Sequence, residues 1–445
     1  MNQSDTKCKS CCDCGPGYAS PQDAFLNGPR EKGLFVTCPN VSVPKKPDAI
    51  VTVDVDPESS TYCKVISKVA LLHVGDEAHH TGWNACSSCF NDTEKKRHFL
   101  VVPCLASELL EHNLSTPHTS HCLGDGNIMI STLGDKNGEG QGNFALPRCN
   151  VMISTEWGAP NKFRKGFDPL DAAAGNYGHT VHIWDWEKRT IKQSIPLEKP
   201  QGMLPFEIRF LHEPTKCHAF MCTALGSALY HLYRDNAKKD FKCRLAAEIP
   251  SKTVLNWQLP LPEMPGLCTD IIISMDDRYL YMSQWLHGDI RQYDISDPFN
   301  VKQVGQCFLG GSIHTETTVT VVADKELECQ PPPLILKDGK RMLGGPQMLQ
   351  LSLDGKRLYV TNSLFSVYDK QFFPEMAKQG STMLQLDVDT ENGGIKLNRN
   401  FQVDFSDLED GPYLAHEMRY PGVADLRDLG SHLGFEMRYY AARST

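Results

Sequence analysis

The sequence predicts an all-β fold of repeated blades around a central channel. Three observations carry this reading. Short β-branched runs recur along the chain, each closing on an apolar-Asp-apolar step and a polar turn. A second phrase, a turn followed by an alternating apolar run, appears in similar form at 274–283 and 352–361. No long amphipathic helical pattern interrupts them. Recurrence along the whole chain favours a β-propeller, at roughly 40–50 residues per four-stranded unit, over a pair of β-sandwiches. The copies are unevenly spaced, so insertions must break the repeat.

Residues 1–34 read as a Cys-, Gly- and Pro-rich tail. Cys8, Cys11, Cys12 and Cys14 form two overlapping Cys-x-x-Cys pairs. Zinc ligand pairs are normally separated by a loop, so adjacent Cys11 and Cys12 suit a flexible redox-active or metal-scavenging tail better than a zinc knot. The propeller is placed at 35–422. Its first strand signal is Ala49-Ile50-Val51-Thr52-Val53-Asp54-Val55, closed by Asp56-Pro57. The same step returns at Ile183-Trp184-Asp185-Trp186, Gln292-Tyr293-Asp294-Ile295 and Gln385-Leu386-Asp387-Val388. Glu207-Ile208-Arg209-Phe210 and Asn150-Val151-Met152-Ile153-Ser154 are looser strand copies. Cys63 falls in a predicted strand, by default a buried inert thiol. Gly344-Gly345-Pro346-Gln347 reads as a tight turn whose glycines permit close backbone approach. The clearest helix is Pro374–Gln379, with Pro at its start. Residues 423–445 form a separate tail.

Composition narrows the function. Over 445 residues, 45 Lys and Arg face 54 Asp and Glu, a net charge of −9. Without a basic run, no nucleic-acid footprint and no electrostatic membrane anchor are expected. The amino terminus lacks an apolar core, and no stretch approaches the ~18 apolar residues of a membrane span. A soluble cytoplasmic protein is expected. Seventeen cysteines, an odd number, then read mostly as reduced thiols. The glycines of 134–142 miss the dinucleotide spacing. No P-loop and no Gly-x-Ser-x-Gly is present.

Chemistry concentrates in Ala78-His79-His80-Thr81-Gly82-Trp83-Asn84-Ala85-Cys86-Ser87-Ser88-Cys89-Phe90. Imidazole and thiolate are the side chains best suited to borderline and soft metals. Cys86 and Cys89 also fit a redox pair, but that reading wants a strand-to-helix context. A second cluster is His118-Thr119-Ser120-His121-Cys122. Its i, i+3 spacing suits a turn, since a straight strand would point the two imidazoles to opposite faces. His212, His287 and His416 stand alone in separate repeat units. Singly, each is better read as a hydrogen-bonded structural histidine. In a propeller, however, single residues from different blades meet at the channel, so a metal site there draws on scattered histidines.

The blocks His79-His80-x-Gly82-Trp83-Asn84-x-Cys86-Ser87-Ser88-Cys89, His118-Thr119-Ser120-His121-Cys122, Ile153-Ser154-Thr155-Glu156-Trp157, Glu207-Ile208-Arg209-Phe210-Leu211-His212, Trp285-Leu286-His287-Gly288-Asp289 and Ala415-His416-Glu417 resemble, in the same order, the selenium-binding protein family, whose members include methanethiol oxidases. The resemblance implies a seven-bladed propeller with one or two blades incomplete here. It implies oxidation of methanethiol, with oxygen and water, to formaldehyde, hydrogen sulfide and hydrogen peroxide. It implies copper, and selenium bound at a cysteine, placed at Cys63 by its sequence context. Relatives in cytoplasm and nucleus, with peripheral membrane association and a role in protein transport, belong to the same picture. The chain departs from the family in three places. Strand-bearing segments are missing between Pro103 and His118 and between Phe144 and Asn150, and 423–445 match nothing in it.

Ground-state oxygen reacts poorly with closed-shell thiols, so the implied reaction needs a redox metal or a flavin, and no flavin fold is visible. Copper on imidazoles is the natural choice. The expected ligands come from His79, His80, His118, His121, His212, His287 and His416, with Glu207 as base and Cys86 and Cys89 helping to load the metal. The substrates are then a small thiol and O2. The competing reading is a non-enzymatic propeller that binds selenium or soft metals or serves in transport.

Overall fold

The computed structural model describes residues 16–421, apart from 87–88, 110–111, 124–125, 140–142, 149–150, 214 and 235–239. The first sheet joins early and late chain. Gly33–Cys38 pairs with Ala49–Asp54, and that strand with Val65–Ala70. Met418–Arg419 closes the sheet on the other side, with Val36 opposite Met418 and Phe35 opposite Arg419. Four-stranded antiparallel sheets follow over residues 143–196, 205–248, 268–308 and 349–404. Successive inner strands touch. Pro205–Phe210 packs on Cys268–Ile273, which meets Leu349–Leu351, which meets Met418–Arg419. The sheets therefore follow one another around an axis, as in a propeller.

The repeated phrases have a common physical basis. Asp54, Asp185 and Asp294 each accept from the amide two residues on, at 2.9, 3.1 and 2.9 Å, the local turn that Asp favours. In the second phrase Ser274 donates to Asp276 at 2.6 Å and accepts from the Tyr279 amide at 2.9 Å. Ser352 repeats this with Asp354 at 2.6 Å and the Arg357 amide at 3.0 Å. Each Ser thus fixes the turn that launches the next strand.

Burial grades from axis to rim. Gly33–Cys38 and Tyr279–Gln284 are buried throughout, whereas Thr190–Pro196 at a sheet edge is mostly exposed. Apolar contacts knit neighbouring sheets. Val36, Val51 and Val53 of the first pack with Tyr359, Phe401 and Val403 of the last. At Gly345 a side chain would meet the Trp285 carbonyl at 1.8 Å, which is the close approach its turn requires.

The smaller sheets sit largely where the sequence lacks segments. Among the described residues Gly82–Trp83 pairs with Leu100–Val101, and Glu108–Leu109, Leu114–Cys122 and Ile128–Asp135 form a three-stranded sheet. On Ile128–Asp135, Ile128 and Ile130 are 37% and 44% exposed, apolar surface that a fuller blade would cover. A third small sheet joins Lys252–Leu255, Glu263–Met264 and Thr320–Ala323.

Some expectations change. His118 and His121 lie on the strand Leu114–Cys122, not in a turn, and a bulge between Pro117 and Ser120 shifts the register between them. Cys63 is not in a strand. It is half-buried in the turn before Val65–Ala70, with φ 63°. The segment before residue 35 is partly ordered by Pro21–Asn27, a helix capped by Ser20, and by Glu31, whose carboxylate takes a 2.8 Å bond from Arg357. Pro374–Gln379 is a helix as expected. Cys8, Cys11, Cys12, Cys14 and residues 423–445 lie outside the described residues.

Candidate metal centre

Thr37, on the first strand, organises the approach to the site. Its hydroxyl donates to the His79 carbonyl at 2.9 Å and accepts from the Glu417 amide at 2.9 Å. Its backbone carbonyl takes the His416 amide, and its amide donates to the Glu417 carbonyl, each at 2.9 Å. One buried residue thus brings the loop after Val65–Ala70 and the chain before Met418–Arg419 face to face. Their imidazoles converge. Nitrogens of His79, His80 and His416 lie within 4.8 Å of one another, the grouping of metal-ligating side chains found among the described residues.

The hydrogen bonds around these rings decide which nitrogen faces inward. His79 Nε2 lies 2.9 Å from the Leu364 carbonyl, and His416 Nδ1 lies 2.7 Å from that of Ser363. A carbonyl can only accept, so each of those nitrogens carries the proton. His79 Nδ1 and His416 Nε2 are left as bare lone pairs, buried and without hydrogen-bond partners. His80 Nδ1 bonds Glu417 Oε1 at 3.0 Å. Glu417 is itself held by the Thr81 amide and hydroxyl, both at 2.6 Å, and by Arg419 at 2.8 Å. Outer partners of this kind fix tautomer and ring direction in metal sites.

His118 adds a fourth ring. Its centroid is 4.5 Å from that of His80 and 5.0 Å from that of His79. Burial holds all four imidazoles toward the neutral, metal-competent form. His79 is lowered to about 4 by desolvation, which outweighs the Leu364 carbonyl and Glu417, and His80, His118 and His416 lie well below the usual histidine range from desolvation first and neighbouring imidazoles next. The donor set is therefore chemically suited to a divalent transition metal.

The other expected residues scatter around this cluster. His121 is lowered to about 4 by burial first, then by Arg419 and Arg209. Glu207, on Pro205–Phe210, is buried and pairs with Arg209 at 2.7 Å. Arg209 also approaches Asp270 at 3.7 Å, and burial raises both carboxyls. His212 bonds the Ile273 carbonyl at 3.0 Å, bridging neighbouring sheets. His287 is buried in the turn between Tyr279–Gln284 and Asp289–Asp294 and bonds the Met264 carbonyl at 3.1 Å. The trio does not include either of these two. Cys86 is not paired with Cys89. It forms a disulfide with Cys122, because Gly82–Trp83 packs against Leu114–Cys122 and brings their Cα atoms to 6.4 Å. This bridge joins the two His-Cys segments, an exception among thiols that are mostly free in the described residues, as expected.

Several contributors carried no role in the sequence reading. Glu417 neighbours His416, and only its contact with His80 reveals its part. Ser363 and Leu364 act through backbone carbonyls, which no side-chain pattern can mark. Asp369 binds the Ser363 hydroxyl at 2.6 Å and the Leu364 amide at 3.0 Å, fixing the segment that orients two imidazoles.

Comparison with known proteins agrees with this architecture. The profile of the 56kDa selenium binding protein (SBP56) family matches residues 12–111, 106–147 and 146–428. The pieces meet at the two places where segments are missing. A methanethiol oxidase of Xenopus laevis is 49% identical, covering 93% of this chain and 98% of its own. The human methanethiol oxidase is 47% identical, and a mouse selenium-binding protein 2 is 46% identical, each covering 93% of this chain and 97% of its own. The crystal structure of a hypothetical selenium-binding protein from Sulfolobus tokodaii superposes with a TM-score of 0.76 at 31% identity, over 91% of this chain and 96% of that one. Sheets closed by the first and last strands, four histidines at their meeting point and nearly full-length similarity lead to one conclusion: the chain belongs to the 56 kDa selenium-binding protein family.

Proposed function

We propose that this chain is a methanethiol oxidase, converting methanethiol, O2 and water to formaldehyde, hydrogen sulfide and hydrogen peroxide at a copper held by His79, His80 and His416, with His118 alongside. The observation that carries this is the pair of bare, buried nitrogens on His79 and His416, whose opposite nitrogens are tied to carbonyls. Apolar burial of such groups without a partner is unfavourable, and a metal satisfies both. Copper in this position supplies the electron exchange that thiol and oxygen cannot make directly.

The chain's own residues supply the rest. Glu417 orients His80. Arg209 and Arg419 hold Glu207 and Glu417 in place beside the site. Glu207, its carboxyl raised by burial, is the base that takes the thiol proton. Copper content of the purified protein, with hydrogen sulfide release from methanethiol, tests the proposal. Copper near one per chain with repeated turnover is expected. A folded protein that neither holds copper nor turns over after copper is added would overturn it, and would favour a non-enzymatic binder.

Selenium binding at Cys63 is a second, separate part of the reading. It is favoured by the thiol's half-buried position beside Tyr62, which lines a polar cleft of about 450 Å³ with Arg30, Asn398 and Asn400. Loss of bound selenium in Cys63→Ser, with copper retained, is the expected outcome.

A further inference from the structure

We propose that the apolar cavity beside His79 is the alkyl pocket of this thiol-oxidising site, sized for thiols of one or two carbons, with the unpartnered indoles of Trp157 and Trp257 in its wall. The inference rests on the reading above and adds to it the determinants of chain length. The cavity has a free volume of about 50 Å³. That exceeds the ~10–15 Å³ that one water requires, and falls far below the ~300 Å³ at which drug-sized pockets begin. A molecule of a few heavy atoms fits.

The walls are apolar. Phe163, Phe206, Phe365, Ala224 and Leu225 contribute, and His79 forms part of the same lining. The cavity therefore adjoins the imidazole cluster instead of standing apart. Trp157, another wall residue, has its ring 5.6 Å from that of His118.

Two of the wall residues also carry buried indole N–H groups. Trp157 Nε1 and Trp257 Nε1 are buried and make no hydrogen bond, and both side chains line the cavity. Buried indole N–H groups normally find an acceptor. Two of them on one small apolar cavity point to a small ligand with an acceptor atom on an alkyl body. An alkanethiolate has that form, because charge makes its sulfur a better acceptor than a neutral thiol. The small free volume among aromatic walls favours the shorter chains.

The test has two parts. First, kcat/KM is measured across methanethiol, ethanethiol, 1-propanethiol and 1-butanethiol for the copper-loaded wild type, Leu225→Ala and Ala224→Leu. A methylene in a confined pocket is worth roughly 10–200-fold. The wild type should therefore lose at least about tenfold between ethanethiol and 1-butanethiol. Leu225→Ala should flatten that loss, and Ala224→Leu should steepen it and raise KM for methanethiol. Both variants folded and copper-loaded with the wild-type profile would overturn the inference.

Second, methanethiol is titrated into the metal-free protein while the indole N–H resonances are followed. The signals of Trp157 and Trp257, identified by Trp157→Phe and Trp257→Phe, should shift. Saturating methanethiol with both signals unmoved would overturn the inference. A wild type without copper or turnover would sink the oxidase reading alone, since the metal-free titration still reports on the cavity.

Discussion

At the scale of single residues, the site depends on which nitrogen each histidine leaves free. His79 and His416 hold their protons toward Leu364 and Ser363 and present lone pairs inward. His79→Ala and His416→Ala should each reduce copper below stoichiometry and abolish turnover. His212→Ala should retain copper, because that ring is engaged with the Ile273 carbonyl. Metal analysis of the three variants checks this. Glu417 touches no reacting atom in the proposed scheme, yet it directs His80. Removing such an outer partner typically costs 10–100-fold in metal affinity. Glu417→Ala should weaken copper binding by about that factor, read by competition with a chelator, while far-ultraviolet dichroism stays that of a β-rich fold.

At the scale of elements, two short segments do most of the positioning. One is the turn 363–369, pinned by Asp369 at the start of its helix Ser366–Phe372. Burial raises the Asp369 carboxyl to about 8, whereas an unfolded chain leaves Asp near 3.9. Between those values the native state holds a proton that the unfolded state has lost. Stability contributed by this group is thus present at low pH and declines as pH rises toward 8, by about 1.4 kcal/mol per unit. Asp369→Asn has no such dependence. Urea midpoints at pH 5 and pH 7 should show the wild type losing stability relative to the variant by about 2–3 kcal/mol. The other segment is the disulfide Cys86–Cys122, which closes a loop of 36 residues in sequence. Chain entropy assigns such a link about 3–4 kcal/mol. Cys122→Ser should lower the denaturation free energy by that order, with Leu114–Cys122 and its His118 the first region to exchange amide protons.

At the scale of the whole molecule, the ring of sheets was legible in the sequence and the convergence at its centre much less so. Asp54, Asp185 and Asp294, with Ser274 and Ser352, write the blades locally, because each turn bonds within two to five residues. His79 and His416 are 337 positions apart, and nothing in local periodicity states that they meet. The residue pattern offered both only as members of a longer set of candidate histidines. The register shift beside His118 and the pairing of Cys86 with Cys122 likewise depend on neighbouring strands. What makes the meeting possible is ring closure, and Thr37 couples closure to the site. Its hydroxyl serves the His79 carbonyl and the Glu417 amide together, and it is buried. Thr37→Val keeps the shape and the β-branched strand preference but leaves both groups without that partner. Each unsatisfied buried group costs about 1–3 kcal/mol, so the variant should be destabilised by roughly 2–6 kcal/mol. Because the same bonds fix the distance between the two histidine-bearing segments, copper affinity should fall in parallel. Thr37→Ser, which restores the hydroxyl, should recover copper affinity and most of the stability. Recovery of stability without recovery of copper binding would separate closure from the site and overturn the coupling.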